Sequence, residues 1–92
     1  MTELEKARNI INQTDEEMAK LFEKRMEAVK IIAKYKKEQK LPIEDRNRED
    51  EVMKRNSAFI QSDDIRHYYI DFLDKTIELS KGFQLDLIDN KM

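Results

Sequence analysis

The sequence predicts an all-α protein of three helices, one long at the N-terminus, one short, and one of medium length at the C-terminus, packed with a second copy as a helical bundle. Three observations predict it. A stretch from about Glu3 to Gln39 contains neither Gly nor Pro and is rich in helix-favouring residues. The 92 residues include a single Gly and a single Pro, which allows very few turns. The apolar residues recur with a helical period and show no strand-like alternation.

The long helix comes first. Leu4, Ile11, Met18, Arg25 and Ile32 recur every seven residues, and Ala7, Thr14, Leu21, Ala28 and Tyr35 follow three behind. That is the two-position seam of a long packed helix. Arg25 puts a guanidinium at a seam position, and a buried unpaired charge is among the most costly things a fold can contain. Something anionic should meet it. Lys36 lies eleven residues further on, close to three full turns, so both cations project from one face and can line one pocket. The plainer reading pairs Arg25 with a carboxylate such as Glu49 and leaves Lys36 solvated among neighbouring lysines.

A helix of about 35 residues is about 50 Å long. A compact domain of this size has a radius of gyration of about 12 Å. The helix therefore overhangs any monomer this chain can build, and the two remaining segments are too short to cover its seam. A second copy is expected to do so, most simply in a two-fold dimer.

The first helix should end around Lys40, because Leu41-Pro42-Ile43 forces an extended or turn conformation before the proline. Asp45 is an N-cap candidate for a second helix from about Arg46 to Ile60, with Glu49, Asp50 and Glu51 near its positive end. Its apolar contacts would be Val52, Met53, Phe59 and Ile60. Gln61-Ser62-Asp63-Asp64 breaks the pattern and can cap a third helix over about Asp64 to Asp89. The apolar face of that helix reads Ile65, Tyr69, Phe72, Leu73, Ile77, then Ser80 and Gln84, then Leu87 and Ile88. Ser80 and Gln84 stand one turn apart where core residues are expected. They can satisfy each other or a backbone carbonyl, or they can face a ligand. Gly82 costs its helix about 1 kcal/mol relative to Ala, and nothing in the sequence accounts for it.

Composition narrows the function. Eighteen basic against 20 acidic residues give a net charge of −2, which removes the usual electrostatic reason to bind nucleic acid or an anionic membrane surface. A charged fraction of 41% and a mean hydropathy of −0.86 leave material for one small core, so residues 1–92 are expected to form a single domain. There is no Cys and one His, which gives no disulfide framework, no thiolate metal site and no histidine-based site. His67 reads as a solvated helix-surface residue, and the run Glu49-Asp50-Glu51 as a favourable first turn, since its neighbours point in different directions. No apolar run approaches membrane-spanning length and the N-terminus lacks the apolar core of a secretory signal, so a cytoplasmic protein is expected.

The order and spacing of the polar residues resemble the all-helical class of chorismate mutases. Chains of that class carry an arginine early in the first helix, an Asp after it, an arginine in mid-helix, a lysine near the helix end, a short turn with Pro, D-x-x-R-E opening the second helix and S-x-x-x-Q in the third. Here these stand as Arg8, Asp15, Arg25, Lys36, Leu41-Pro42-Ile43, Asp45-Arg46-Asn47-Arg48-Glu49 and Ser80-Lys81-Gly82-Phe83-Gln84. The resemblance covers essentially the whole chain. It implies an intertwined helical homodimer with two equivalent sites that converts chorismate to prephenate, in aromatic amino-acid biosynthesis. No fused dehydrogenase, dehydratase or amino-acid-sensing domain is expected, since the sequence ends soon after the third helix.

The resemblance also implies residue roles. Arg25 would bind one substrate carboxylate and Arg8 the other. Lys36 and Gln84 would face the ether oxygen, and Glu49 with the backbone of Asp45 would hold the ring hydroxyl. Arg48 and Ser80 would complete the polar wall, and Ile32 and Ile77 would pack against the carbon frame. Arg8 and Arg25 are seventeen residues apart, about 25 Å along a helix, too far for both to reach one small dicarboxylate. Arg8 is therefore expected to serve the partner's site.

The implied reaction is a unimolecular [3,3] rearrangement, which requires no nucleophile, proton relay, metal or redox cofactor. The nearest rival is an isochorismate-pyruvate lyase of the same fold, against which the full D-x-x-R-E and S-x-x-x-Q set weighs. A rival of another class is a noncatalytic helical interaction module with Arg25 as a registry device. Such a module has no need of Arg25, Lys36, Ser80 and Gln84 together on faces that should be apolar.

Overall fold

The computed structural model describes residues 1–89 and consists of three helices, α1 (Glu3–Gln39), α2 (Arg46–Ser57) and α3 (Asp63–Asp89). No strand occurs among the described residues. α1 opens on a capping box: Thr2 Oγ1 accepts from the Glu5 N–H at 3.1 Å, and Glu5 Oε1 accepts from the Thr2 N–H at 3.2 Å. It closes on Lys40, a non-glycine residue in the left-handed region at φ 56°. The Lys40 N–H meets the Lys37 carbonyl at 3.3 Å and the Leu41 N–H meets the Lys36 carbonyl at 2.8 Å, a closure that satisfies carbonyls otherwise left bare at a helix end. A left-handed lysine costs on the order of 1 kcal/mol. In return the chain reverses sharply through Pro42 and brings Ile43 back beside the last turns of α1.

Asp45 caps α2 as expected, its Oδ1 accepting from the Arg48 N–H at 3.0 Å. The helix ends at Ser57, short of the expected Ile60. Ser57 Oγ bonds the Lys54 carbonyl at 3.1 Å and the Phe59 N–H bonds the Asn56 carbonyl at 3.0 Å, so local bonds turn the chain before Phe59 can reach the core. Phe59 is exposed, a correction to the expected apolar contacts, whereas Val52 is buried and Met53 and Ile60 are half-buried. Arg66 Nη2 donates to the Ile60 carbonyl at 2.6 Å and ties the start of α3 to this turn.

α3 packs against both other helices, with Val29 and Ala33 of α1, Val52 of α2 and Leu73 of α3 as the buried apolar core. Ile65 and Phe72, expected on the inner face of α3, are exposed. The row of α1 that meets α3 also differs from the predicted seam. Val29 and Ala33, four apart, are buried, while Ala28, Ile32 and Tyr35 of the seam are exposed. Ala33 is small enough to let α3 approach closely, which selects its row over the one carrying Tyr35.

The molecule measures 55 × 28 × 14 Å with a radius of gyration of 16.5 Å, well above the roughly 12 Å of a compact domain this size. The excess is the N-terminal part of α1. Every residue from 1 to 24 is exposed, including Leu4 at 58% and Leu21 at 62%. Large contiguous apolar surface of this kind marks an interaction site. No described helix is long and apolar enough to cross a membrane.

Candidate active site

A cavity of about 230 Å³ lies among the three helices, lined from α1 by Arg25, Val29, Ile32 and Lys36, from the turn and α2 by Ile43, Asp45, Arg48, Glu49 and Val52, and from α3 by Ile77, Ser80, Lys81 and Gln84. The α1 residues follow the spacing of a single helical stripe, and so do the α3 residues. The site is thus formed by two facing stripes with α2 across one end.

Arg25 donates to Ser80 Oγ, and Ser80 in turn donates to the Thr76 carbonyl at 2.9 Å. The expected anion does not meet Arg25. No carboxylate lies within ion-pair distance of it among the described residues, and Glu49 pairs elsewhere. The pocket therefore presents a guanidinium with a neutral neighbour, an arrangement suited to a carboxylate from outside. Lys36 Nζ donates to the Ile43 carbonyl at 2.7 Å. One of its three N–H groups is spent on the turn, which orients the ammonium and leaves the others for a ligand.

Ser80 and Gln84 do not satisfy each other. Ser80 is used by Arg25 and Thr76, and Gln84 Oε1 is buried without a hydrogen-bond partner among the described residues. A buried unsatisfied polar group costs on the order of 1–3 kcal/mol, so the amide end of Gln84, whose residue is only 6% exposed, is a strong sign of a missing partner. Arg48 extends along the rim and pairs with Glu51 at 2.6 Å.

Lys81 was not among the residues singled out from the sequence. Its Nζ lies 3.1 Å from Glu49 Oε1 and 3.7 Å from Glu44 Oε1. The hydrogen bond to Glu49 holds its ammonium above the ordinary lysine value of 10.5, against a smaller opposing effect of burial. A signal was present: Lys81 stands four residues after Ile77 and three before Gln84, on the same stripe of α3. Val29, Ile43 and Val52 complete the wall and were likewise not expected in the site. Four cationic and two anionic side chains line the cavity. Every predicted site residue lines it except Arg8, which lies on the uncovered part of α1.

A family profile described as chorismate mutase type II matches residues 7–85. The chain belongs to the chorismate mutase type II family. The matched span holds Arg8 and every residue of the cavity wall. No curated protein and no solved structure gives a significant match. Membership of a chorismate mutase family points to an isomerase with a small-molecule substrate, and the cavity offers one cationic side chains, neutral polar groups beside them, and apolar walls from Val29, Ile32, Ile77 and Val52.

Proposed function

We propose that this chain is a chorismate mutase that rearranges chorismate to prephenate in aromatic amino-acid biosynthesis, acting as a two-fold homodimer with two equivalent sites. The observation that carries the reading is the convergence of Arg25, Lys36, Ser80 and Gln84 on one cavity, where no carboxylate among the described residues pairs with Arg25. A dianionic ether supplies a carboxylate to Arg25 and an acceptor for the Lys36 ammonium and the Gln84 amide N–H.

The rearrangement breaks one C–O bond and forms one C–C bond within a single molecule, so the protein has two tasks. Arg25 binds one carboxylate while Arg8 of a second copy binds the other. Together they hold the enolpyruvyl arm over the ring in its reactive conformer, which converts binding energy into orientation. Lys36 and Gln84 then donate to the ether oxygen as negative charge develops there, an electrostatic contribution of about 3–4 kcal/mol per well-placed donor. Glu49 and the backbone of Asp45 hold the ring hydroxyl. Arg48 and Ser80 complete the polar wall, and Ile32 and Ile77 pack on the carbon frame.

The second copy is supported by two independent features. The apolar face through Leu4, Ile11, Met18 and Leu21 has no cover among the described residues, and the same uncovered segment carries Arg8. Incubation of the purified protein with chorismate and, separately, isochorismate, with Arg25→Ala as control, tests the reading. Prephenate from chorismate, lost in the variant, is the expected result. Pyruvate from isochorismate as the faster reaction would assign the pocket to a lyase instead.

A further inference from the structure

Glu49 poses an electrostatic problem for any site that receives two carboxylates. It is a half-buried carboxylate on the wall of the same small cavity, where its repulsion of a ligand of like charge is poorly screened. The structure places a counter-charge directly on it. Lys81, on the facing stripe of α3, bonds Glu49 Oε1 at 3.1 Å, and the side chains of both residues are mostly enclosed, 30% and 24% exposed. Glu44, from the turn before α2, approaches the same ammonium at 3.7 Å from a more open position. The other charged groups around the cavity, Arg25 and Lys36 of α1, Asp45 at the start of α2 and Arg48 of α2, are engaged elsewhere: with Ser80, with the Ile43 carbonyl, with the Arg48 N–H and with Glu51.

We propose that Lys81 is a positioning residue of this site: its ammonium holds the Glu49 carboxylate through Oε1, neutralises it towards the substrate's two carboxylates, and leaves Oε2 to accept from the ring hydroxyl. The proposal rests on the reading of the cavity as a chorismate site. Lys81 touches no reacting atom in this scheme and acts through Glu49. A lysine ammonium is charged throughout the neutral range, and the hydrogen bond to Glu49 favours that form further. Because the pair makes the same contacts before and after the bond rearrangement, its contribution falls on binding and leaves the chemical step largely untouched.

The test is steady-state kinetics with chorismate on the wild-type protein, Lys81→Met, Lys81→Gln, Lys81→Arg, Glu49→Gln and the double variant Lys81→Met/Glu49→Gln, each checked for helical circular dichroism. Lys81→Met and Lys81→Gln are expected to raise KM by about tenfold, the scale of one charge-assisted hydrogen bond, with kcat within a few-fold of wild type. Lys81→Arg should recover most of the loss. In the Glu49→Gln background the Lys81→Met change should add less than about twofold, since coupled groups do not lose their effect twice. A wild-type KM in both neutral variants overturns the proposal, and so does an equal factor in both backgrounds, which would make Lys81 a structural strut between α3 and α2. An inert wild-type protein overturns the chorismate reading itself and takes this proposal with it.

Discussion

The ammonium of Lys36 lies 2.7 Å from the carbonyl oxygen of Ile43, so the last turn of α1 and the reversal that follows it are joined at the cavity wall. The left-handed Lys40 makes that reversal possible. Lys36 is therefore aimed by the backbone of its own turn, which is the preorganisation that electrostatic catalysis needs.

Replacement of Lys36 by Ala removes that donor with little change to the core, since the buried apolar residues of α1 are Val29 and Ala33. We predict a loss of about 10²–10³-fold in kcat, the usual scale for one preorganised donor to a developing anion, with the oligomeric state unchanged by sedimentation. Activity within a few-fold of wild type would remove Lys36 from the proposed mechanism.

Gln84 carries a second prediction through its chemistry. An amide donates without needing a proton from solution, whereas a carboxyl group donates only when protonated. Gln84→Glu should therefore be most active at low pH and lose activity as the pH rises and the new carboxyl ionises, while the wild-type rate has no such requirement for acid. A flat pH–rate profile for the variant would refute the donor role.

Gly82 has an account in the structure that the sequence lacked, although it is a negative one. A Cβ built on it meets nothing within 4 Å, so neither close packing nor a special backbone angle requires glycine within the single chain. Gly82→Ala is predicted to stabilise the protein by about 0.5–1 kcal/mol, through higher helix propensity and a less mobile unfolded chain. Urea unfolding at fixed protein concentration measures it. A destabilised and dissociated variant would instead show that a second copy packs closely on this face of α3.

The span of α1, the start of α2 and the proline turn were legible because they depend on local chemistry: a run without Gly or Pro, an Asp at a cap, a Pro after a helix end. Arg25, Ser80 and Gln84 were legible as polar side chains at apolar positions, and the other expected wall residues entered through the family resemblance. Three things were not. The α1 row that meets α3 depends on Ala33 being small opposite the crossing point, and a heptad count over the whole helix does not resolve that choice. The partner of Arg25 depends on which of several nearby groups the fold brings closest; Ser80 takes it, and Lys81 takes Glu49. Lys81 itself passed unnoticed because lysine on a charged chain reads as surface, and only its place between Ile77 and Gln84 marks it otherwise.

The final prediction concerns Arg8. It lies outside the cavity that holds Arg25, on the part of α1 that no described residue covers. Arg8→Ala and Arg25→Ala should each abolish activity on their own. In a mixed dimer, the copy carrying Arg8→Ala keeps its own Arg25 and receives an intact Arg8 from the other copy, so one of the two sites is whole. Random reassortment of equal amounts makes about half the dimers mixed, each with one working site, so about a quarter of wild-type activity should return on mixing after dissociation and reassembly. Recovery of that size requires both a two-fold dimer and a site shared between its copies. No recovery, with exchange of copies verified by a labelled chain, would refute a site shared between two copies.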